Sequence, residues 1–151
     1  MSLPLYWIYP LYTGILAIAL VALVPKSQIR KLAYYAIILG GMADALLILV
    51  VTHVVGAGGY LNYLPFGFTV MPFFPPIAWV AYFIMFLHFL PDKQPWIYIY
   101  IASSALYSML FSNVLLNLGI FTWNYGRLIV PLLIYFPWQF TAAWIYQRYE
   151  K

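Results

Sequence analysis

The chain has 151 residues, of which 66% are hydrophobic and 7% charged, and its mean hydropathy is +0.92. A soluble domain is about 45–50% apolar and about 25% charged, and seven basic plus three acidic side chains cannot clothe a water-facing surface of this size. The composition therefore describes a one-domain integral membrane protein, and its lack of cysteine excludes disulfides, thiolate metal sites, iron–sulfur clusters and cysteine nucleophiles together.

A helix crossing about 30 Å of hydrocarbon needs roughly 20 apolar residues. The first span is expected over residues 5–24, with no secretory signal peptide read at the amino terminus. A basic turn of Lys26, Arg30 and Lys31 leads into the second span, 32–55, which carries one acid, Asp44. Glycines and prolines then break the helical pattern until the third span, 75–90, which Pro75 or Pro76 is suited to start. At 1.5 Å per residue that span reaches only about 24 Å. Residues 66–74 should supply the missing depth as irregular chain, either as an interfacial loop capped by aromatics or as the wall of an outer vestibule. Pro91-Asp92-Lys93 makes the next turn, the fourth span is 95–118, residues 119–126 form the last loop, and the fifth span is 127–147. The expected fold is an all-α bundle of five transmembrane helices.

Orientation follows from the basic residues. One side collects Lys26, Arg30, Lys31, Lys93, Arg148 and Lys151, and the other holds Arg127. By the positive-inside rule the amino terminus lies outside and the carboxyl terminus inside, in a multi-pass plasma-membrane protein. The net charge of +4 belongs to this asymmetry. Basic residues so dispersed make no phosphate-binding stripe, so nucleic acid is not an expected partner.

Asp44 is the most informative residue. It falls near the midplane, where a charged side chain costs at least about 2.5–3.5 kcal/mol and must face protein or water. Ala33, Ala36, Gly40 and Asp44 share one small-residue stripe, suited to close helix contact. Asp44 reads either as an acid that binds a proton, cation or substrate, or as a protonated group hydrogen-bonded across a helix pair. Depth counting puts Thr13 and Ser108 at its level as partners. Ser104, Ser108 and Ser112 form a polar stripe on the fourth span, Asn113 and Asn117 a second pair, and Tyr135, Gln139, Ala142 and Tyr146 a face of the fifth. These faces mark helix packing or line a polar cavity. Pro131 and Pro137 should interrupt the fifth helix and free the carbonyls of Arg127 and Leu133 beside Trp138 and Gln139.

His53 and His88 fall at opposite ends of their spans, too far apart for one zinc or one bis-histidine haem, and no lysine lies inside a span to carry retinal. No metal and no cofactor is expected. Aromatics make up 21% of the chain. Tyr6, Trp7, Tyr9, Tyr60, Tyr63 and Trp123 fit an outer interfacial belt, and Trp96, Trp144, Tyr146 and Tyr149 an inner one. Trp79, Tyr82, Tyr107, Phe111, Tyr135 and Trp138 lie deeper, where they serve packing or line a pocket for a flat apolar ligand.

The stretch Phe74-Pro75-Pro76-Ile77-Ala78-Trp79 with Tyr82 is similar to the second-helix motif of the tryptophan-rich sensory proteins, but two spans follow it here where that family has three. Val24-Pro25-Lys26 with Ile29-Arg30, Gly67-Phe68-Thr69, Leu90-Pro91, and Trp138, Trp144 and Arg148-Tyr149 resemble a group of small, functionally unassigned five-helix membrane proteins of spore-forming bacteria. Those relatives often carry an acid in the fourth span, where this chain has only Ser and Asn. The resemblance implies a bacterial plasma membrane and no particular activity. No phosphate loop, HExxH, GxSxG or nucleophile–base pair is present. The first functional expectation is an accessory subunit packing against itself or a partner membrane protein. The alternative is binding or transport of a small apolar or weakly charged ligand or cation near Asp44. Its candidate residues are Asp44, Thr13, Tyr107, Ser108, Ser112, Asn113, Tyr135, Trp138 and Gln139. An intramembrane enzyme comes third.

Overall fold

Apolar runs separated by short proline- and glycine-bearing turns fold into five helices. The computed structural model describes residues 4–68 and 71–150; Thr69 of the quoted motif and Lys151 of the basic set lie outside them. The helices are α1 (Leu5–Leu23), α2 (Lys26–Val55), α3 (Phe74–His88), α4 (Trp96–Leu118) and α5 (Ile129–Glu150), and all but α3 are long and apolar enough to cross a membrane. Four short strands, β1 (Gly58–Tyr60), β2 (Gly67–Phe68), β3 (Met71–Pro72) and β4 (Phe121–Trp123), lie in the connections.

Three expectations about the elements need correction. Lys26, Arg30 and Lys31 belong to the first turns of α2, because Pro25, extended at ψ 146°, already makes the corner as its N-cap. Pro131 does not interrupt α5: it sits in the first turn, where a missing N–H costs nothing, and only Pro137 is internal. The Arg127 carbonyl near that start is taken by Asn113, whose Nδ2 donates to it at 2.7 Å. Residues 66–74 are not wholly irregular, since β2 and β3 pair antiparallel with Gly67 opposite Pro72.

At one end of the bundle α2 begins and α5 finishes. Lys31 Nζ lies 3.6 Å from Glu150 Oε2, and the Tyr35 hydroxyl donates to Glu150 Oε1 at 2.7 Å. At the other end the α2–α3 and α4–α5 connections are sewn together. There β1 pairs antiparallel with β4, setting Gly58 opposite Trp123 and Tyr60 opposite Phe121. Glycine is required at 58, because a Cβ there would collide with the Thr122 carbonyl. Fully buried Tyr9 ties α1 to both connections, its hydroxyl donating to Leu61 O (2.5 Å) and Ile120 O (2.9 Å).

Helices α1 and α2 pack on α3, and α4 packs on α5. Gly40, in the small-residue stripe of α2, meets α3 closely: a Cβ on it would lie 2.9 Å from Trp79 O and 2.8 Å from Phe83 Cδ2. Helix α2 is continuous but not uniform. Two π-helical stretches, Ile37–Met42 and Leu49–Val55, bracket the α-helical turn that carries Asp44. Wide turns of this kind cost backbone geometry and tend to occur at functional sites. One core cluster, including Leu32, Ala36, Phe83, Leu87, Ile101 and Ala143, fills the end where α2 starts. Two smaller ones, around Tyr9, Ala78 and Phe121 and around Ala105, Met109 and Tyr135, fill the strand-bearing end. The candidate site lies where the clusters meet.

Candidate functional site

Five of the six deep aromatics, all but Trp138, converge on a cavity of about 260 Å³. Helix α1 contributes Tyr12 and Leu16; α3 contributes Pro75, Ala78, Trp79 and Tyr82; α4 contributes Tyr107, Ser108, Phe111, Ser112 and Leu115; and α5 contributes Tyr135. Tyr60 and Phe121, directly opposite each other in the β1–β4 ribbon, close its end with their rings 4.8 Å apart. The mouth lies between α1 and α4. Leu16 is half-buried there, while Tyr107 and Phe111 are 70% and 41% exposed, and the Tyr12 and Phe111 rings meet edge-to-face at 5.6 Å across the seam.

A polar network holds the α4–α5 wall. Gln139, completely buried, donates from Nε2 to Ser108 Oγ at 2.8 Å and accepts at Oε1 from the Tyr82 hydroxyl at 3.2 Å. Ser108 in turn donates to Ser104 O at 2.9 Å. Ser112 donates to Met109 O at 2.7 Å and accepts from Trp123 Nε1 at 3.1 Å, which fastens the ribbon to α4. Buried polar groups satisfied in this way fix side chains in one arrangement. The wall is therefore preformed.

Asp44 lies next door. It is 5% exposed and lines a second, smaller space of about 40 Å³, with Thr52, Gly58, Gly59, Tyr60, Phe121, Trp123, Tyr135 and Trp138 among its walls. Tyr60, Phe121 and Tyr135 line both spaces and form the partition between them. The Asp44 Oδ2 atom has no hydrogen-bond partner, and neither do the Tyr12 hydroxyl and Thr13 Oγ1. The hydroxyls of Tyr12, Tyr60 and Tyr135 all lie within electrostatic range of the acid. Burial holds the Tyr60 phenol well above its ordinary range, so this ribbon side chain is a neutral hydroxyl at physiological pH. No family model, curated protein or solved structure matches the chain. Its function has to be argued from this geometry.

The structure sorts the sequence-derived candidates. Tyr107, Ser108, Ser112 and Tyr135 line the larger cavity, and Asp44, Tyr135 and Trp138 the smaller one. Gln139 stands behind the wall, and Trp138 is anchored by donating from Nε1 to Leu39 O at 2.7 Å. Asn113 lies outside both spaces, and its Nδ2 bonds Met109 O within α4 as well as Arg127 O just before α5. The pairing of Asp44 with Thr13 or Ser108 is corrected. Thr13 Oγ1 is unbonded, and the bonds of Ser108 go to Ser104, Tyr82 and Gln139. Depth counting fixes height along the bundle but not direction around it, and the Tyr60–Tyr135 partition lies between the two cavities that Asp44 and Ser108 line. Tyr9, Tyr60 and Tyr146 are likewise not belt residues. Tyr9 and Tyr146 are buried in the core, and Tyr60 walls both cavities. Three aromatic wall residues escaped the sequence reading, Tyr12 and Phe121 altogether and Tyr60 as a cavity residue. The one signal for the ribbon pair is the aromatic, β-prone run Phe121-Thr122-Trp123 beside the paired glycines before Tyr60. Among the described residues no three His, Cys, Asp or Glu side chains cluster as metal ligands would.

Proposed function

We propose that the chain is a multi-pass plasma-membrane protein, amino terminus outside and carboxyl terminus inside, that binds a small, largely apolar ligand in the aromatic cavity. The insertion is supported by four helices of spanning length and by the apolar side chains they turn outward, such as Leu11, Ile15, Ile18 and Val21 on α1. The orientation rests on the basic cluster at the end where α2 starts and α5 finishes.

The observation that carries the ligand reading is that Ser108, Ser112 and five of the six deep aromatics line one preformed space. A space of about 150 Å³ lined by apolar groups already accepts benzene, and drug-sized pockets begin at about 300 Å³. A cavity of about 260 Å³ is therefore sized for one substituted ring or a short isoprenoid. Its mouth faces outward between α1 and α4, where acyl chains would lie, so the ligand arrives from the bilayer. Binding tert-butylbenzene to protein in phosphatidylcholine nanodiscs, followed by tryptophan fluorescence, tests this. Ala78 is a buried cavity wall, and Ala78→Phe places a ring into the space. Wild type should give a saturable change that Ala78→Phe abolishes while remaining folded. An equal response from both proteins would mean that the probe reports partitioning into lipid and that the cavity is not its site.

A further inference from the structure

The larger cavity alone suggests any apolar ligand, but its neighbour narrows the class. We infer that the site is selective for a lipophilic organic cation, an amine or quaternary ammonium on an apolar body, with Asp44 as its counter-charge. This inference rests on the ligand-binding reading above.

Three observations support it. The first is the acid, 95% buried by its 5% exposure, with Oδ2 turned to no partner and lining an empty space beside the cavity. A carboxylate in that position is stabilised by a positive charge brought to it and by little else. The second is that, among the described residues, no lysine or arginine supplies such a charge. Lys26, Arg30, Lys31 and Arg148 belong to the end where α2 starts and α5 finishes, Lys93 lies in the turn before α4, and Arg127 precedes α5. The third is the partition itself. The side chains between Asp44 and the ligand space are aromatic, Tyr60, Tyr135 and Phe121, with Trp79 packed against Tyr135 at 5.5 Å. Aromatic faces attract cations and are the usual enclosure for quaternary ammonium groups. A cationic head resting on the partition would meet ring faces in front and the acid's field behind them, in a medium too poor in water to screen either. The unbonded Tyr12 hydroxyl, on the cavity wall, turns its oxygen to the same region.

Phenyltrimethylammonium and tert-butylbenzene share one shape and differ in charge, and benzenesulfonate offers the opposite sign. All three are titrated against the full chain in phosphatidylcholine nanodiscs, whose lipid carries no net charge, with empty nanodiscs as the blank. Replacing Asp44 by Asn should weaken phenyltrimethylammonium about tenfold or more and leave tert-butylbenzene within about twofold. Asp44→Glu, which keeps the charge, should retain most of the cation affinity. Unchanged cation affinity in Asp44→Asn, or equal losses for both probes, overturns the inference. A second measurement needs no variant: in wild type, phenyltrimethylammonium should displace tert-butylbenzene and benzenesulfonate should not. Displacement by the anion as well would also overturn it. Saturable tert-butylbenzene binding without any cation binding refutes the charge selectivity alone, whereas no binding of either probe refutes the cavity reading and this inference together.

Discussion

Replacing Gly40 by alanine tests whether the approach of α2 to α3 is set by the absence of a side chain. The new Cβ would lie 2.8 Å from Phe83 Cδ2, 3.2 Å from Phe83 Cβ and 2.9 Å from the Trp79 carbonyl oxygen. Phe83 is wholly buried and the carbonyl belongs to the α3 backbone, so neither can step aside locally. Overpacking of this kind costs about 1–3 kcal/mol. Against it stands the gain of about 0.8–1 kcal/mol from exchanging glycine for alanine within a helix. Gly14 on α1 isolates that gain, because a Cβ there meets nothing within 4 Å. The helix-propensity contribution is shared by Gly40→Ala and Gly14→Ala and cancels in their difference, leaving about 1–3 kcal/mol of steric cost at Gly40. For a chain of this length 1 kcal/mol moves the melting temperature by about 2–4 °C. Gly40→Ala should therefore melt about 2–12 °C below Gly14→Ala when both are followed by thermal unfolding in the same detergent. Two variants melting within about 1 °C of each other would refute the steric argument.

Two further outcomes bear on the ends of the bundle. Tyr9→Phe removes the donor shared by Leu61 O and Ile120 O; Ile120 O keeps the Leu61 N–H, but the loss of the hydroxyl should still cost about 1 kcal/mol in thermal unfolding; unchanged stability would show that the hydroxyl does not hold α1 to the connections. The chain has no native cysteine, so single thiols report orientation cleanly: in intact cells an impermeant maleimide should label Asn62→Cys and spare Ser27→Cys and Gln94→Cys, and the reverse pattern would invert the proposed topology.

Much of the helical layout was legible because it depends on local properties. Apolar run length places the helices, and prolines 75 and 76 mark a start that needs no backbone donor; Pro25 marks another, but the basic residues after it hid the first turns of α2. The burial of Asp44 was legible for a related reason: an acid inside such a run has nowhere to go except protein or water. The cavity was half legible. Trp79, Tyr82, Tyr107, Phe111 and Tyr135 all line it, and their depth is a matter of counting along single helices. Its closed end was not legible, because it depends on pairing Gly58–Tyr60 with Phe121–Trp123 across two intervening helices. Three-residue strands carry no alternation from which to read a register. The partners of Asp44 failed for want of an angular coordinate, since no single-helix count says whether Tyr135 or Ser108 turns toward α2.

The two π-helical stretches of α2 have a consequence for how the acid is aimed. Each accommodates about one residue more than the α-helical turns around it, and one residue corresponds to about 100° of rotation about the helix axis. Were the same six residues wound as ordinary α-helix, the extra residue would no longer be absorbed and Asp44 would swing about a quarter turn relative to Ala33 and Ala36. The carboxyl would leave the aromatic partition for the half-buried flank where Ala45 now points. The direction of the acid is thus set by the width of the turn before it as well as by its own place in the sequence. A single-residue deletion within 37–42 should accordingly be taken up by relaxation to α-geometry and leave the acid aimed as before, whereas one within the α-helical residues 26–36, which hold no such slack, should turn it away.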